Sequence, residues 1–158
     1  MAFDMFIKFP DIPGESTDSK HKGEIEVLSF SWGVSQTTTR AGSGNGAGVG
    51  KAKVSDFSFV KQLGVASPAL FVSVCRGEHF DDVVFSASTG VGTKKGQETF
   101  YKVTFSDVLI SGVSPAGSAG ADVPLEQVSI NFAKVEIEFN DGKSHKESSC
   151  DFVKGEAE

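Results

Sequence analysis

At 158 residues the chain has the length of one domain, with room for a core that needs no metal or disulfide staple. Its 15 Lys and Arg against 21 Asp and Glu give a formal charge of -6, and the densest basic groups (Lys51, Lys53 and Lys61, then Lys94 and Lys95) are interrupted by acidic or neutral residues, which argues against nucleic acid or anionic lipid as a partner. Two cysteines, Cys75 and Cys150, are too few for a disulfide scaffold or a zinc cluster and are expected as free thiols.

No apolar run approaches a membrane span, and Asp4 and Lys8 break up the first nine residues. A cytoplasmic protein without a cleavable signal peptide or membrane insertion is therefore expected.

Fourteen Phe, 18 Gly and frequent alternation of apolar with polar residues predict many strands separated by turns, as in a barrel or a sandwich. The first strand sets Phe3, Met5, Ile7 and Phe9 on one inward face, and Pro10 with Pro13 and Gly14 ends it. After a polar turn, Ile25 and Val27 share one phase, while Leu28, Phe30, Trp32 and Val34 share the other. Such a change of phase predicts a bulge or barrel corner near Val27 and Leu28. The second set reads as core, Trp32 included, and Ser29, Ser31 and Gly33 then form a small, uncharged opposite face.

Residues 41–50 carry glycine at every even position (Gly42, Gly44, Gly46, Gly48, Gly50) with Asn45 among them, and read as a long flexible excursion within one domain. A phosphate loop ending in Gly50 and Lys51 fails because Asn45 stands where glycine is needed and Ala52 where Ser or Thr is needed. The strict even spacing also excludes the dinucleotide pattern, and no cofactor is expected.

A strand over 53–61 puts Phe57 and Phe59 opposite Asp56 and Ser58. One helix follows, with Ser67 as N-cap and a helical run over 68–76 that stops at Gly77. Leu70, Phe71, Val74 and Cys75 form its apolar stripe, so it is expected to lie against the barrel wall with Cys75 buried.

Strands over 83–88, 98–111 and 123–140 come next, the last two long enough to bend around a barrel. In the third, Val128, Ile130 and Phe132 read as core, with Ser129, Asn131 and Ala133 facing out. Asn140, Asp141 and Gly142 predict a tight hairpin into an edge strand within 143–153, and 154–158 read as a frayed acidic tail.

Two groups invite a chemical reading. Glu78, His79, Asp81 and Asp82 are the densest set of ligand or acid–base types, but neither His21 nor His145 joins them at recognisable spacing, so no metal is expected. Glu136 and Glu138 lie about 7 Å apart on one strand face, within glycosidase range, yet alternation with Val135, Ile137 and Phe139 explains them as the wet side of a half-buried strand. No catalytic residue is assigned. A carbohydrate-binding sandwich using exposed aromatics and, behind it, a secreted hydrolase remain the alternatives to an assembly role.

Gly14, Glu15 and Ser16 with His21, followed by Ser31, Trp32 and Gly33, resemble the signature of the haemolysin-coregulated protein (Hcp) family, the tube subunit of bacterial type VI secretion. The opening strand 2–8, Lys61 with Ser67, Pro68, Ala69 and Leu70, and the run 129–133 resemble further family segments in the right order.

The resemblance implies a mainly β fold: a single β-barrel of two antiparallel sheets with one short lateral helix. It implies six copies closing into a ring, rings stacking into a hollow tube, and no enzymatic activity. The implied partners are a spike protein at the tube tip, a contractile sheath around it and small effectors sheltered inside. Such a subunit is cytoplasmic until exported with the tube. The residues implied to line the lumen are Ser29, Ser31 and Gly33, and the segment from Gly42 to Gly50 occupies the place of the family's ring-stacking loop.

Overall fold

The computed structural model describes residues 2–39, 48–49, 51–89 and 97–158. In chain order the elements are β1 (Phe3–Lys8), β2 (Ile25–Val27), β3 (Ser29–Ser31), β4 (Val34–Ser35), β5 (Thr38–Thr39), β6 (Gly48–Val49), β7 (Lys53–Val54) and β8 (Phe57–Gln62). Helix α1 (Ser67–Arg76) precedes β9 (His79–Thr89), β10 (Thr99–Ala116), β11 (Leu125–Asn140), β12 (His145–Asp151) and β13 (Glu156–Ala157). This is the mainly β architecture with one short helix that the strand periodicity predicts.

Every pairing among the described residues is antiparallel, and the main sheet runs β13-β12-β11-β10-β9-β1-β2, with β8 on β11 and β3 on β8. β2 and β3 are two halves of one segment bent at Leu28, so the two ends of the sheet meet at this corner without a closed ladder. There the Leu28 N–H donates to the Val60 carbonyl at 2.7 Å. The predicted corner is thus real, but Leu28 and Val34 are exposed rather than core. Both sit beyond breaks in the strand, and a two-residue period does not carry across a break.

β9, β10 and β11 turn together. Each carries two consecutive residues that are not buried, Asp81 and Asp82, Ser106 and Asp107, and Ala133 and Lys134, so the inward phase switches at matching register in all three. Asp107 takes φ 53° at the bend. The kink lets single long strands serve both layers, and their inward residues meet in one core containing Ile7, Phe57, Phe59, Phe85, Phe105 and Ile130.

β1 departs from simple alternation, because Phe6 and Ile7 are both buried while Phe3 is half-exposed. The outward face of Phe6 is covered by His21, whose ring stacks on it at 4.4 Å.

α1 lies against β10 and buries Leu70 and Ser73. Phe71 and Cys75, expected on the buried stripe, face solvent. Ala66, not Ser67, occupies the N-cap, and it makes no side-chain cap. The C-terminus follows its signal, with Gly77 at φ 63° and the Gly77 and Glu78 amides donating to the Val74 and Ser73 carbonyls.

The hairpin at Asn140 forms as predicted, with Asp141 accepting from the Lys143 and Ser144 amides at 2.8 and 2.6 Å. The Ser144 and Lys143 amides hold the Asp141 carboxyl below the ordinary carboxylate range. Fraying was expected for 154–158, but β13 pairs with Cys150 and Asp151.

Candidate functional site

The outward face where β3, β8 and the first half of β11 pair carries a row of small hydroxyl side chains. Register aligns Ser31 with Ser58 and Ser58 with Ser129, and Gly112 of β10 continues the row. The Ser58 and Ser129 hydroxyls are 3.1 Å apart. Ser29 heads the adjacent row through Val60 to Gln127 and Ser114.

Phe57 and Phe59 point inward from the same strand as Ser58, and Val128 and Ile130 flank Ser129 in the same way, so alternation alone generates this face. Asp56 stands at the edge of these rows, where it accepts from Ser111 at 2.7 Å and Asn131 at 3.1 Å. Gly33 is exposed and held by Ser55, whose hydroxyl accepts from its amide at 2.8 Å. Ser29, Ser31 and Gly33 therefore lie on one side of one segment, but Gly33 is not in the hydroxyl rows. Hydroxyls without a neighbouring base are poor nucleophiles, and neither row contains histidine, cysteine or a charged side chain.

The turn at 14–24 is a brace rather than a binding loop. The Gly14 amide donates to Gly23 O at 2.7 Å, and Ser16 exchanges backbone bonds with Gly23 and Glu24. A Cβ on Gly14 would sit 2.3 Å from the Glu24 carbonyl oxygen, so only glycine fits. Glu15 reaches the Val65 amide at 2.7 Å. His21 is clamped between Glu24 at 2.9 Å and the buried Ser88 hydroxyl at 3.2 Å. Burial pushes the Asp18 carboxyl up, but bonds from the Lys20 amide, the Gln97 side chain and the His21 amide prevail and hold it below its ordinary value.

A buried ion pair fastens the other side of this brace. Lys61 Nζ lies 2.8 Å from Glu126, and the Ser67 hydroxyl accepts from Lys61 and donates to Glu126, both at 2.9 Å. The two charges face each other in register across β8 and β11. Their signal was present in the chain: Lys61 continues the inward phase of Phe57 and Phe59, and Glu126 that of Val128 and Ile130. Ser67 serves this network instead of capping α1.

The family model described as "Type VI secretion system effector, Hcp" matches residues 6–139. Protein hcp1 of Pseudomonas aeruginosa is 38% identical over 144 residues, 91% of this chain and 87% of that protein. The chain belongs to the Hcp family of type VI secretion. Among solved structures, Hcp1 from Salmonella typhimurium matches with a TM-score of 0.83 at 33% identity, covering 100% of both chains. A second, described as a type six secretion system protein, gives 0.88 at 28% identity over 99% of this chain and 100% of that one.

Within this Hcp chain most of the 78–82 group makes local contacts. Glu78 accepts from Ser73 at 2.9 Å, His79 faces Asp107 at 3.4 Å, and Asp82 accepts from Ser106 at 2.9 Å. Glu136 is exposed opposite Ser149.

Trp32, half-buried, packs edge-on to Phe57, Phe105 and Phe132 at 6.0, 5.8 and 6.1 Å, against the core as its phase predicts. Burial raises the neighbouring Tyr101 hydroxyl above the ordinary phenol range, partly opposed by the Trp32 indole.

Of the residues implied to stack rings, Gly42, Gly44, Asn45, Gly46 and Gly50 lie outside the described residues. Gly48 belongs to β6 and pairs with Thr39 of β5, so the excursion is in part a β-ribbon. Among the described residues no helix is long and apolar enough to cross a membrane.

Proposed function

We propose that the chain is a non-enzymatic tube subunit: six copies close into a ring, rings stack into a hollow tube, and small effectors travel in the lumen. The observation that carries this reading is the hydroxyl face of β3, β8 and β11. A channel that must pass cargo without gripping it needs a wall with little bulk and little charge, and Ser29, Ser31, Ser58 and Ser129 supply one.

Family membership supports reading that face as a lumen wall. Leu28, Val65 and Phe71, each at least half exposed, are available for contacts between copies. The ribbon of β4, β5, β6 and β7 with the glycines from Gly42 to Gly50 is the stacking element. A spike protein at the tip and a contractile sheath around the tube are the remaining partners. The subunit assembles in the cytoplasm and leaves with the tube.

Light scattering is expected to give a native mass of about 100 kDa, six times 16.7 kDa, with rings visible by electron microscopy of the same peak. A monomer at high concentration removes the proposal. Ser31→Arg is expected to leave the ring mass unchanged while reducing effector retention in pull-down, because a bulky cation then projects into the channel. Retention equal to wild type takes Ser31 off the lumen wall.

A further inference from the structure

We propose that Glu138, His145 and Glu147 form a divalent-cation site that clips the edge hairpin of β11 and β12, with zinc or a similar first-row ion as its occupant. The inference does not depend on the tube reading. Register places Glu138 directly opposite Glu147 and Asn140 opposite His145. Residues 138 and 140 share one face of β11, as 145 and 147 share one face of β12, so the imidazole lies diagonally across from Glu138 and next along its own strand to Glu147. His145 Nε2 is 3.0 Å from Glu138 Oε1 and 3.5 Å from Glu147 Oε1, and the three donor atoms all lie within 4.8 Å of one another.

Two carboxylates facing each other across paired strands repel, and a positive charge between them turns that repulsion into attraction. The donor set narrows the choice of ion. One imidazole nitrogen with two carboxylate oxygens suits zinc and its neighbours in the first row, with water completing the coordination. Calcium and magnesium prefer oxygen alone. Donors about 2.0–2.2 Å from a tetrahedral ion lie roughly 3.3–3.6 Å from one another, so the separations of 3.0 and 3.5 Å need only small side-chain adjustments on a fixed backbone. That backbone is held by the Asp141 turn, so binding orders little beyond the three side chains. Lys102 of β10 stands opposite Glu138 in register on its other side.

The donors come from two strands, and only the hairpin register brings them together. This is why His145 shows no ligand spacing along the chain.

The test is a titration of the chelator-treated full chain with zinc chloride by isothermal calorimetry, paired with thermal scans. One zinc per chain and a midpoint that rises with zinc are expected. His145→Ala and Glu147→Gln are each expected to weaken uptake by about ten-fold or more, the least that loss of a supporting partner costs at zinc sites. Both side chains are exposed, so these variants are expected to keep wild-type circular dichroism and native mass. Cys75→Ser is expected to bind as wild type. No uptake by the wild type, equal uptake by His145→Ala, or uptake lost in Cys75→Ser overturns the proposal, the last by assigning the metal to the exposed thiol.

Discussion

Glu126→Ala is expected to lower the free energy of unfolding by about 3–5 kcal/mol, because it strips the counter-charge from an ammonium sealed inside the fold. Both side chains of the pair are nearly inaccessible, at 3% for Lys61 and 2% for Glu126. In the variant Lys61 keeps only the Gln62 carbonyl and the Ser67 hydroxyl, neither of which neutralises it. The damage is local in origin, since Ser67 opens α1 and loses its acceptor at the same time.

The double change Lys61→Met with Glu126→Leu removes both charges and is expected near wild type or above it, since no buried charge is then left alone. Chemical denaturation at one fixed protein concentration separates the two, the concentration being held because assembly adds to apparent stability. A single variant within about 1 kcal/mol of wild type sinks the account, for it means that water reaches Lys61.

That pair also marks where reading the chain stops. Lys61 and Glu126 each occupy a core phase of their own strand, which is visible in order, but 65 positions separate them and nothing local assigns their register. Local signals fared well: the phase change at Leu28, the helix end at Gly77 and the hairpin at Asn140 are all set by neighbours within a few residues. Faces were harder.

Periodicity says which residues share a side, not whether anything covers it. Phe71 and Cys75 share a stripe with Leu70 yet stay exposed, while Phe6, on the supposed outer face, is roofed by His21 fifteen positions later. The hydroxyl face was legible for the same reason: Ser29, Ser31 and Ser129 needed only alternation to be placed outward. The alignment of Ser58 between Ser31 and Ser129, like that of His145 beside Glu138, belongs to the sheet and not to the chain order.

Phe57→Ala is expected to cost about 3–5 kcal/mol, the range for deleting a large aromatic from a packed core. Phe57 is fully buried, and its ring meets Phe30 at 5.7 Å, Trp32 at 6.0 Å, Phe59 at 6.3 Å, Phe85 at 5.2 Å and Phe105 at 4.8 Å. Those rings come from β3, β8, β9, β10 and the segment after β3, so the void opens where both layers meet and no single element can relax into it. A loss of that size shifts the thermal midpoint of a domain this long by about 6–20 °C.

The lone tryptophan borders the void, and its emission is expected to move to longer wavelength as water gains access. Ser58, the next residue, points the other way and keeps its place beside Ser129. Ring mass at low temperature is therefore expected to survive Phe57→Ala, whereas Ser31→Arg is expected to spare stability and strike retention. A midpoint moved by less than about 2 °C takes Phe57 out of the centre of the core. Ring mass lost at temperatures where the variant is still folded shows that core and wall are coupled, and undoes the separation of roles that one alternating strand provides.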